Sequence, residues 1–307
     1  MTDGNGGMPK GVLDGITVLD LGRYQAGPRC GLMLARLGAD VIKVETVKGD
    51  ESRSNGPHVR GQSAYWVQYN SGKRSLSIDL RSDEGKEILQ ELVKISDVFI
   101  QNFRPGTIQK MGFGYEELHK LNKGIVMVNV SAYGQYGPYK DRIGFDPIGQ
   151  AMSGLMSLTG PPDGDPVMTA FPLIDRITSL HATIGALGAL YERQFSGEGQ
   201  SIDVCLADSG YSTVEIPSTA YLGEGTVPER TGNGQGLANA YQTRDGWIYL
   251  ANAHSDNIFP RVADLVGHPE WKEDPRWQTR KGRQEDSAEL EAVLTDWFAR
   301  RNKKDAE

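Results

Sequence analysis

Apolar and polar positions alternate along this chain in a β–α–β rhythm. Ile16–Leu21 reads as a buried strand, Pro28–Leu37 as a helix stopped by Gly38, and Val41–Glu45 as the next strand. The same rhythm continues through a strand at Leu76–Leu80, a helix at Asp83–Ile95, a strand at Asp97–Ile100, a helix at Tyr115–Leu121 and a strand at Ile125–Val130. Such alternation predicts an α/β layered fold with a mostly parallel sheet and right-handed crossovers. A helix over Asp146–Leu155 and a turn-rich passage around Gly160–Pro166 follow. Next comes a long helix on which Ile177, Leu180, His181, Ile184, Leu187, Leu190 and Tyr191 recur at the spacing of one face. Ser201–Leu206 is strand-like.

The texture changes near residue 230. The glycine-rich stretch Thr231–Leu237 is a connection, Ala240–Ala251 a hairpin turning at Asp245-Gly246, and helices are expected over Asp256–Val266 and Ser287–Arg301. The expected division is a leader at 1–10, a large α/β domain at 11–230, and a linker with a smaller α+β domain at 231–307. The chain stops directly after a helix with no return strand, which reads as an incomplete small domain.

Composition narrows the function classes. The net charge of −7 argues against a general nucleic-acid binder, whose affinity rests on neutralising phosphates. No stretch approaches the run of about 20 apolar residues that a membrane span needs, and the start lacks a secretory pattern. Two cysteines, Cys30 and Cys205, suit a reducing cytoplasm and read as buried small apolar residues. Metal-ligand spacing is missing, and no tightly bound cofactor is expected.

The nucleotide motifs fail on inspection. Gly72-Lys-Arg-Ser75 has Val67 where a P-loop needs its leading glycine, and Gly232–Gly236 is followed by Leu237 where a dinucleotide fingerprint needs glycine. The histidines are scattered, and His181 reads as a hydrogen-bonded core residue. Asp175 is placed near the start of the long helix, where unpaired N–H groups and the macrodipole favour a negative charge. A carboxylate there is open to two readings, a helix cap or a nucleophile, and acidic residues are common in first turns for stability alone.

Several blocks, in order and spacing, resemble one family. They are Leu13–Leu21, Gln25-Ala-Gly-Pro28, Leu37–Glu45, Asn70–Leu80, Asp97–Gly106, Gly144-Phe-Asp146 with Gln150–Gly154, and the Asp175 helix with Gly197-Glu-Gly-Gln200. Together they are similar to the class III, formyl-CoA transferase-like (CaiB/BaiF) coenzyme A transferases, over about residues 11 to 300. The resemblance implies a Rossmann-like large domain, a small domain and an interlocked homodimer whose C-terminal return segment completes the large domain. It implies coenzyme A or acyl-CoA as substrate with a small carboxylic acid as partner. It places the nucleophile at Asp175 with Gln25 as catalytic partner. The coenzyme-binding positions fall on Gln25, Ala26, Ile78, Asp79, Leu80, Arg81, Asn102, Phe103, Arg104, Lys110 and Arg142. A glycine-rich substrate loop falls on Gly232, Gly234, Gln235 and Gly236. A basic residue of some members is Thr46 here, so Lys48 or Arg53 is left to meet phosphate. Tyr24, Phe103 and Tyr136 are candidates to flank the adenine or pantetheine. The alternatives are a 2-methylacyl-CoA racemase of the same superfamily, disfavoured because Phe145 stands where racemases carry histidine, and a truncated, non-catalytic CoA-binding protein.

Overall fold

The computed structural model describes residues 11–234 and 237–307; the leader at 1–10 lies outside the described residues. Along the chain run β1 (Thr17–Asp20), α1 (Ala26–Arg36), β2 (Asp40–Glu45), the short ladder β3 (His58–Val59) and β4 (Gln62–Ser63), α2 (Ala64–Asn70) and β5 (Arg74–Ser77). They are followed by α3 (Asp83–Lys94), β6 (Val98–Gln101), α4 (Thr107–Lys110), α5 (Tyr115–Leu121) and β7 (Val126–Ser131). Next come α6 (Asp146–Met152), α7 (Leu155–Leu158), α8 (Leu173–Ser196), β8 (Ser201–Cys205), α9 (Leu206–Tyr211) and α10 (Glu215–Glu224). The chain divides into two compact units, one holding residues up to 156 and 168–225, the other 157–167 and 226 onward.

In the first unit six strands form one parallel sheet in the order β5-β2-β1-β6-β7-β8. Both faces are covered, so the central strands are apolar nearly throughout, and every residue of β6 and β7 is buried. One face packs β1, β6 and β7 against α1 and α8 through Val18, Ile100, Val128, Cys30, Leu34, Ala182 and Ala186. The other carries Leu19, Phe99 and Met127 against Leu89, Val93 and Leu118 of α3 and α5. This is the mostly parallel α/β sheet expected from the β–α alternation.

The face that α8 buries differs from expectation. Its buried positions are Ile174, Thr178, Ser179, Ala182, Thr183, Ala186, Ala189 and Leu190. Of the larger apolar residues at helical spacing, Leu180, Ile184 and Tyr191 are 39%, 66% and 69% exposed. The cause is close approach: a Cβ at Gly185 would stand 2.9 Å from Ile202 Cγ2, so only small side chains fit beneath the helix. Apolar size marked the opposite face. The helix ends at Gly197, whose φ of +75° suits a glycine C-cap. Gly199 follows because a Cβ there would lie 1.9 Å from the Ile125 carbonyl oxygen.

A buried ion pair secures the start of the sheet. Asp20, fully buried, accepts from Lys73 Nζ at 2.6 Å, and the same ammonium donates to the Pro28 carbonyl at 2.6 Å and to Asn70 Oδ1 at 2.9 Å. Burial pushes the Asp20 pKa up, but the charges of Lys73 and Lys43 and the bonds from Lys73 and the Gly22 N–H hold it below the usual carboxylate range. A Cβ at Gly31 would lie 2.7 Å from Asp20 Oδ2, so the helix passes over this carboxylate only without a side chain.

The second unit contains the antiparallel hairpin β9 (Asn239–Thr243) and β10 (Gly246–Leu250), with Thr243 opposite Gly246. With them come α11 (Phe259–Val266), α12 (Arg280–Glu285) and α13 (Ala288–Ala299). Its core gathers Tyr241, Phe259, Trp271, Trp277, Leu290, Leu294 and Phe298. The turn and helices match the expected hairpin and helical stretches within a few residues.

Removing one member of the buried pair strands a charge. Lys73→Met is expected to cost about 3–5 kcal/mol in urea unfolding. The Asp20→Asn/Lys73→Met double variant should recover much of that loss. A Lys73→Met cost below about 1 kcal/mol would mean the pair is poorly buried or readily replaced by water.

Candidate active site

The strand order reverses direction at β1 and β6, and a parallel α/β sheet opens a crevice at that switch point, outside the carboxyl ends of the strands. Two loops meet there, Gly22–Gln25 after β1 and Asn102–Arg104 after β6. Asn102 ties them together: its Oδ1 accepts the Arg23 N–H at 2.7 Å and its Nδ2 donates to the Arg23 carbonyl at 2.8 Å. Tyr24 is held left-handed at φ 59°, a conformation costing on the order of 1–3 kcal/mol for a side-chain-bearing residue. Its ring meets Phe145 edge-on at 6.1 Å. Gln25, 2% exposed, starts α1 and donates from Nε2 to the Pro172 carbonyl at 3.4 Å, which brings the starts of α1 and α8 together. Its Oε1 is buried with no protein partner.

These loops wall a cavity of about 470 Å³, lined among others by Arg23, Tyr24, Gln25, Ala26, Asn102, Phe103, Arg104, Arg142, Phe145 and Asp175. A second cavity of about 800 Å³ is lined by Lys43–Glu51, Arg53, Ile78, Asp79, Leu80, Arg81 and Met111. Arg23, Phe103 and Thr107 line both, so the two cavities adjoin. Residues far apart in sequence, Gln25, Ala26, Ile78–Arg81, Asn102–Arg104, Arg142 and Asp175, thus line these two adjoining cavities.

Other expected residues fall elsewhere. Lys110 is exposed at the last position of α4 and lines neither cavity; Thr107 and Met111 are the residues of that segment that reach them. Tyr136 is 78% exposed and lines neither. Thr46, Lys48 and Arg53 all line the second cavity, but Arg53 is already committed. It grips Glu45 through two bonds of 2.7 and 2.6 Å and lies 3.7 Å over the Trp66 ring. Gly232 and Gly234 belong to the second unit, and Gln235 and Gly236 lie outside the described residues. His181 is hydrogen-bonded to Ser209 at 3.2 Å, and both cysteines are buried and free. Arg23 was not singled out in the sequence. Its signal is positional, because the first residues past the ends of β1 and β6 face the switch-point crevice.

Asp175 occupies the first turn of α8, whose dipole favours a charged carboxylate. That influence loses. Burial, with a further push from the Asp146 charge, raises the Asp175 pKa to about 7. The preference of the helix start for a negative charge is thus offset, and the carboxylate is poised between its two forms near neutral pH. Asp146 is fixed in place: its Oδ1 accepts the Asp175 N–H at 3.0 Å and its Oδ2 accepts from Gln150 Nε2 at 2.5 Å. Gln150 Oε1 in turn accepts the Thr169 N–H at 3.0 Å. Among the described residues no cluster of His, Cys, Asp and Glu is arranged to hold a metal.

An acid whose folded-state pKa is raised stabilises the fold below its unfolded pKa, and that contribution is lost as pH rises through about 7. Asp175→Asn should therefore stabilise the protein at pH 8 by on the order of 2 kcal/mol, a figure reduced for water reaching the cavity, and much less at pH 5. Thermal melts at the two pH values check this; equal effects at both would remove the raised pKa.

The sequence model of CoA-transferase family III matches residues 13–307. The chain is 42% identical over 294 residues to a succinyl-CoA–D-citramalate CoA-transferase of Chloroflexus aurantiacus, covering 94% of this chain and 73% of that protein. It is 37% identical over 304 residues to a succinate–glutarate CoA-transferase of Agrobacterium fabrum, covering 95% and 76%. The crystal structure of a CaiB/BaiF family protein from Brucella suis superposes with a TM-score of 0.87 at 36% identity, over 97% of this chain and 81% of that one. With the parallel sheet, the switch-point cavities and these matches in agreement, the chain belongs to CoA-transferase family III and is an enzyme of the CoA-transferase class.

Proposed function

We propose that this enzyme moves coenzyme A from succinyl-CoA to a second dicarboxylic acid, using Asp175 as a covalent relay. One observation carries the reading. Asp175 is the one carboxylate among the described lining residues of a cavity that also presents Gln25, Asn102 and three arginines. The relatives support the substrate class, since their names pair succinyl-CoA or succinate with citramalate or glutarate, each a dicarboxylic acid.

The chemistry needs a relay because a free acid attacks a thioester slowly in water. An Asp175 oxygen attacks the acyl carbonyl, a C–O bond forms, the C–S bond breaks, and CoA leaves as thiolate. The resulting mixed anhydride is attacked by the thiolate at the Asp175 Cγ; the anhydride C–O bond breaks and the donor acid departs. The enzyme then carries CoA as an aspartyl thioester, and the acceptor acid reverses both steps. A carboxylate serves as nucleophile when ionised and as leaving group from the anhydride. Gln25 Nε2 and backbone N–H groups of the β1–α1 turn are the donors for each tetrahedral oxyanion. The pantetheine and phosphates run toward the second cavity, where Arg23, Lys48 and Arg81 supply positive charge.

The same reading includes a homodimer, favoured by the exposed apolar positions Leu180, Ile184, Tyr191 and Phe195 on α8. It also includes a reducing, cytoplasmic setting, favoured by the two free, buried cysteines. No helix among the described residues is long and apolar enough to cross a membrane. A racemase has no histidine to use at Phe145; deuterium entering the α-carbon of an acyl-CoA from solvent would revive that alternative.

Asp175→Ala should reduce transfer by at least about a thousandfold while CoA still binds, and Gln25→Ala should reduce kcat by about 100- to 1000-fold. Intact-mass analysis with succinyl-CoA should find a hydroxylamine-sensitive adduct on Asp175; the label on another residue defeats the assignment. Because the nucleophile must be ionised, kcat/KM should rise with pH through about 7. Asp146→Asn removes a repelling charge and should move that rise to lower pH; an unmoved profile would show that Asp146 does not set the acidity.

A further inference from the structure

Among the described residues, three ion pairs line the second cavity, and they are not alike. Lys43 meets Asp50 at 3.3 Å, with both side chains 2% exposed. Glu45 takes two bonds from Arg53, one from Ser75 Oγ at 2.8 Å and one from the Asp50 N–H at 3.0 Å. Opening either pair would strand a buried charge. The third pair is of another kind. Arg23 Nη1 lies 3.0 Å from Glu51 Oε1, with the side chains 39% and 52% exposed. This is a single contact within reach of water, and the Glu51 side chain has no other partner among the described residues. Such a pair holds its charges together weakly.

Arg23 is also the charged residue shared by the two cavities; Phe103 and Thr107 are the others that line both. Its root is fixed, because Asn102 accepts the Arg23 N–H at 2.7 Å and donates to its carbonyl at 2.8 Å. Its guanidinium carbon lies 5.2 Å from the centre of the Phe103 ring. The side chain can therefore swing without moving the turn that carries Gln25. Glu51 opens a short 3-10 turn, Glu51–Ser54, which Asp50 caps by accepting the Ser52 N–H at 2.8 Å. The acid thus stays on the cavity wall when the pair parts.

A ligand that runs from the Asp175 cavity into the second one passes Arg23. Along coenzyme A, the first anionic group beyond the neutral pantetheine arm is the diphosphate. Its oxygens suit the guanidinium fork as a carboxylate does, and they carry more charge. Glu51, already half in water, loses little on release, but its charge opposes a diphosphate placed beside it.

We propose that Arg23 exchanges Glu51 for the diphosphate of coenzyme A when an acyl-CoA binds. Glu51 is then a built-in competitor that loosens the hold on coenzyme A and lets the product acyl-CoA leave. The inference rests on the route for pantetheine and phosphates proposed above.

The test is calorimetric titration of three ligands: CoA, dephospho-CoA, which lacks only the 3′-phosphate, and pantetheine, which lacks every phosphate. Arg23→Met should raise Kd for CoA and dephospho-CoA alike by about 10- to 100-fold, the range for losing hydrogen bonds between charged groups, and change that for pantetheine little. Arg23→Lys should restore part of the loss. Glu51→Gln should lower Kd for both nucleotides by about 2- to 5-fold, the strength of an exposed ion pair, a gain that damaged folding cannot produce. An unchanged or raised Kd in Glu51→Gln overturns the exchange, since Glu51 would then be inert or would aim Arg23 at the phosphates. A loss in Arg23→Met confined to CoA moves Arg23 to the 3′-phosphate, and an equal loss for pantetheine assigns it to the arm or the turn; either result also overturns the proposal. If the wild-type enzyme binds pantetheine as tightly as CoA, the route of the phosphates through the second cavity falls, and this inference falls with it.

Discussion

The ion pair between Asp20 and Lys73 is the constraint on which the cavity-bearing end of the first unit depends. A charge buried at the end of β1 is tolerable only because Lys73, reaching from beyond α2, meets it at 2.6 Å and spends its other protons on Pro28 and Asn70. That arrangement joins the first strand, the start of α1 and the end of α2. The Gly22 N–H is bound to the same carboxylate at 2.8 Å, so the turn carrying Arg23, Tyr24 and Gln25 is anchored at its root. The strained backbone of Tyr24 persists because Asn102 fixes the Arg23 peptide on one side and Phe145 backs the ring on the other.

From that anchored turn the electrostatics of Asp175 follow. Its helix start draws it toward the charged form, while poor hydration and the neighbouring Asp146 draw it toward the neutral one, and the second influence prevails. A carboxylate balanced near neutrality suits the relay role we propose for Asp175, in which it alternates between attacking and departing. Asp146 is itself held by Gln150, and Gln150 by the Thr169 N–H, so the balance is set by a chain of fixed partners.

Much of this was legible in the residues. The alternating strands and helices of the first unit announced a parallel sheet because parallel strands covered on both faces are written as short apolar runs, as in Val126–Ser131. The spread-out positions Gln25, Asn102 and Asp175 were found through the ordered family blocks, and the switch point explains why they meet. What misled was size. On α8 the large residues Leu180, Ile184 and Tyr191 carry the helical periodicity, yet Thr178, Ala182 and Ala186 are the ones beneath, because close backbone approach selects small side chains. Lys110 was out of reach for a related reason: one turn of helix decides which side of α4 meets a cavity, and spacing alone does not reveal it. The acidity of Asp175 also stayed hidden, since it depends first on burial and then on Asp146, a residue 29 positions away in sequence.

The fit of Gly31 over Asp20 has a consequence for how this sequence can change. A methyl group at position 31 would collide with the carboxylate, a shorter residue at 20 would leave Lys73 without its counter-ion, and an apolar residue at 73 would leave Asp20 without its own. Each single step passes through a damaged intermediate, so these three sites are expected to vary among descendants as a linked trio, or to stay frozen.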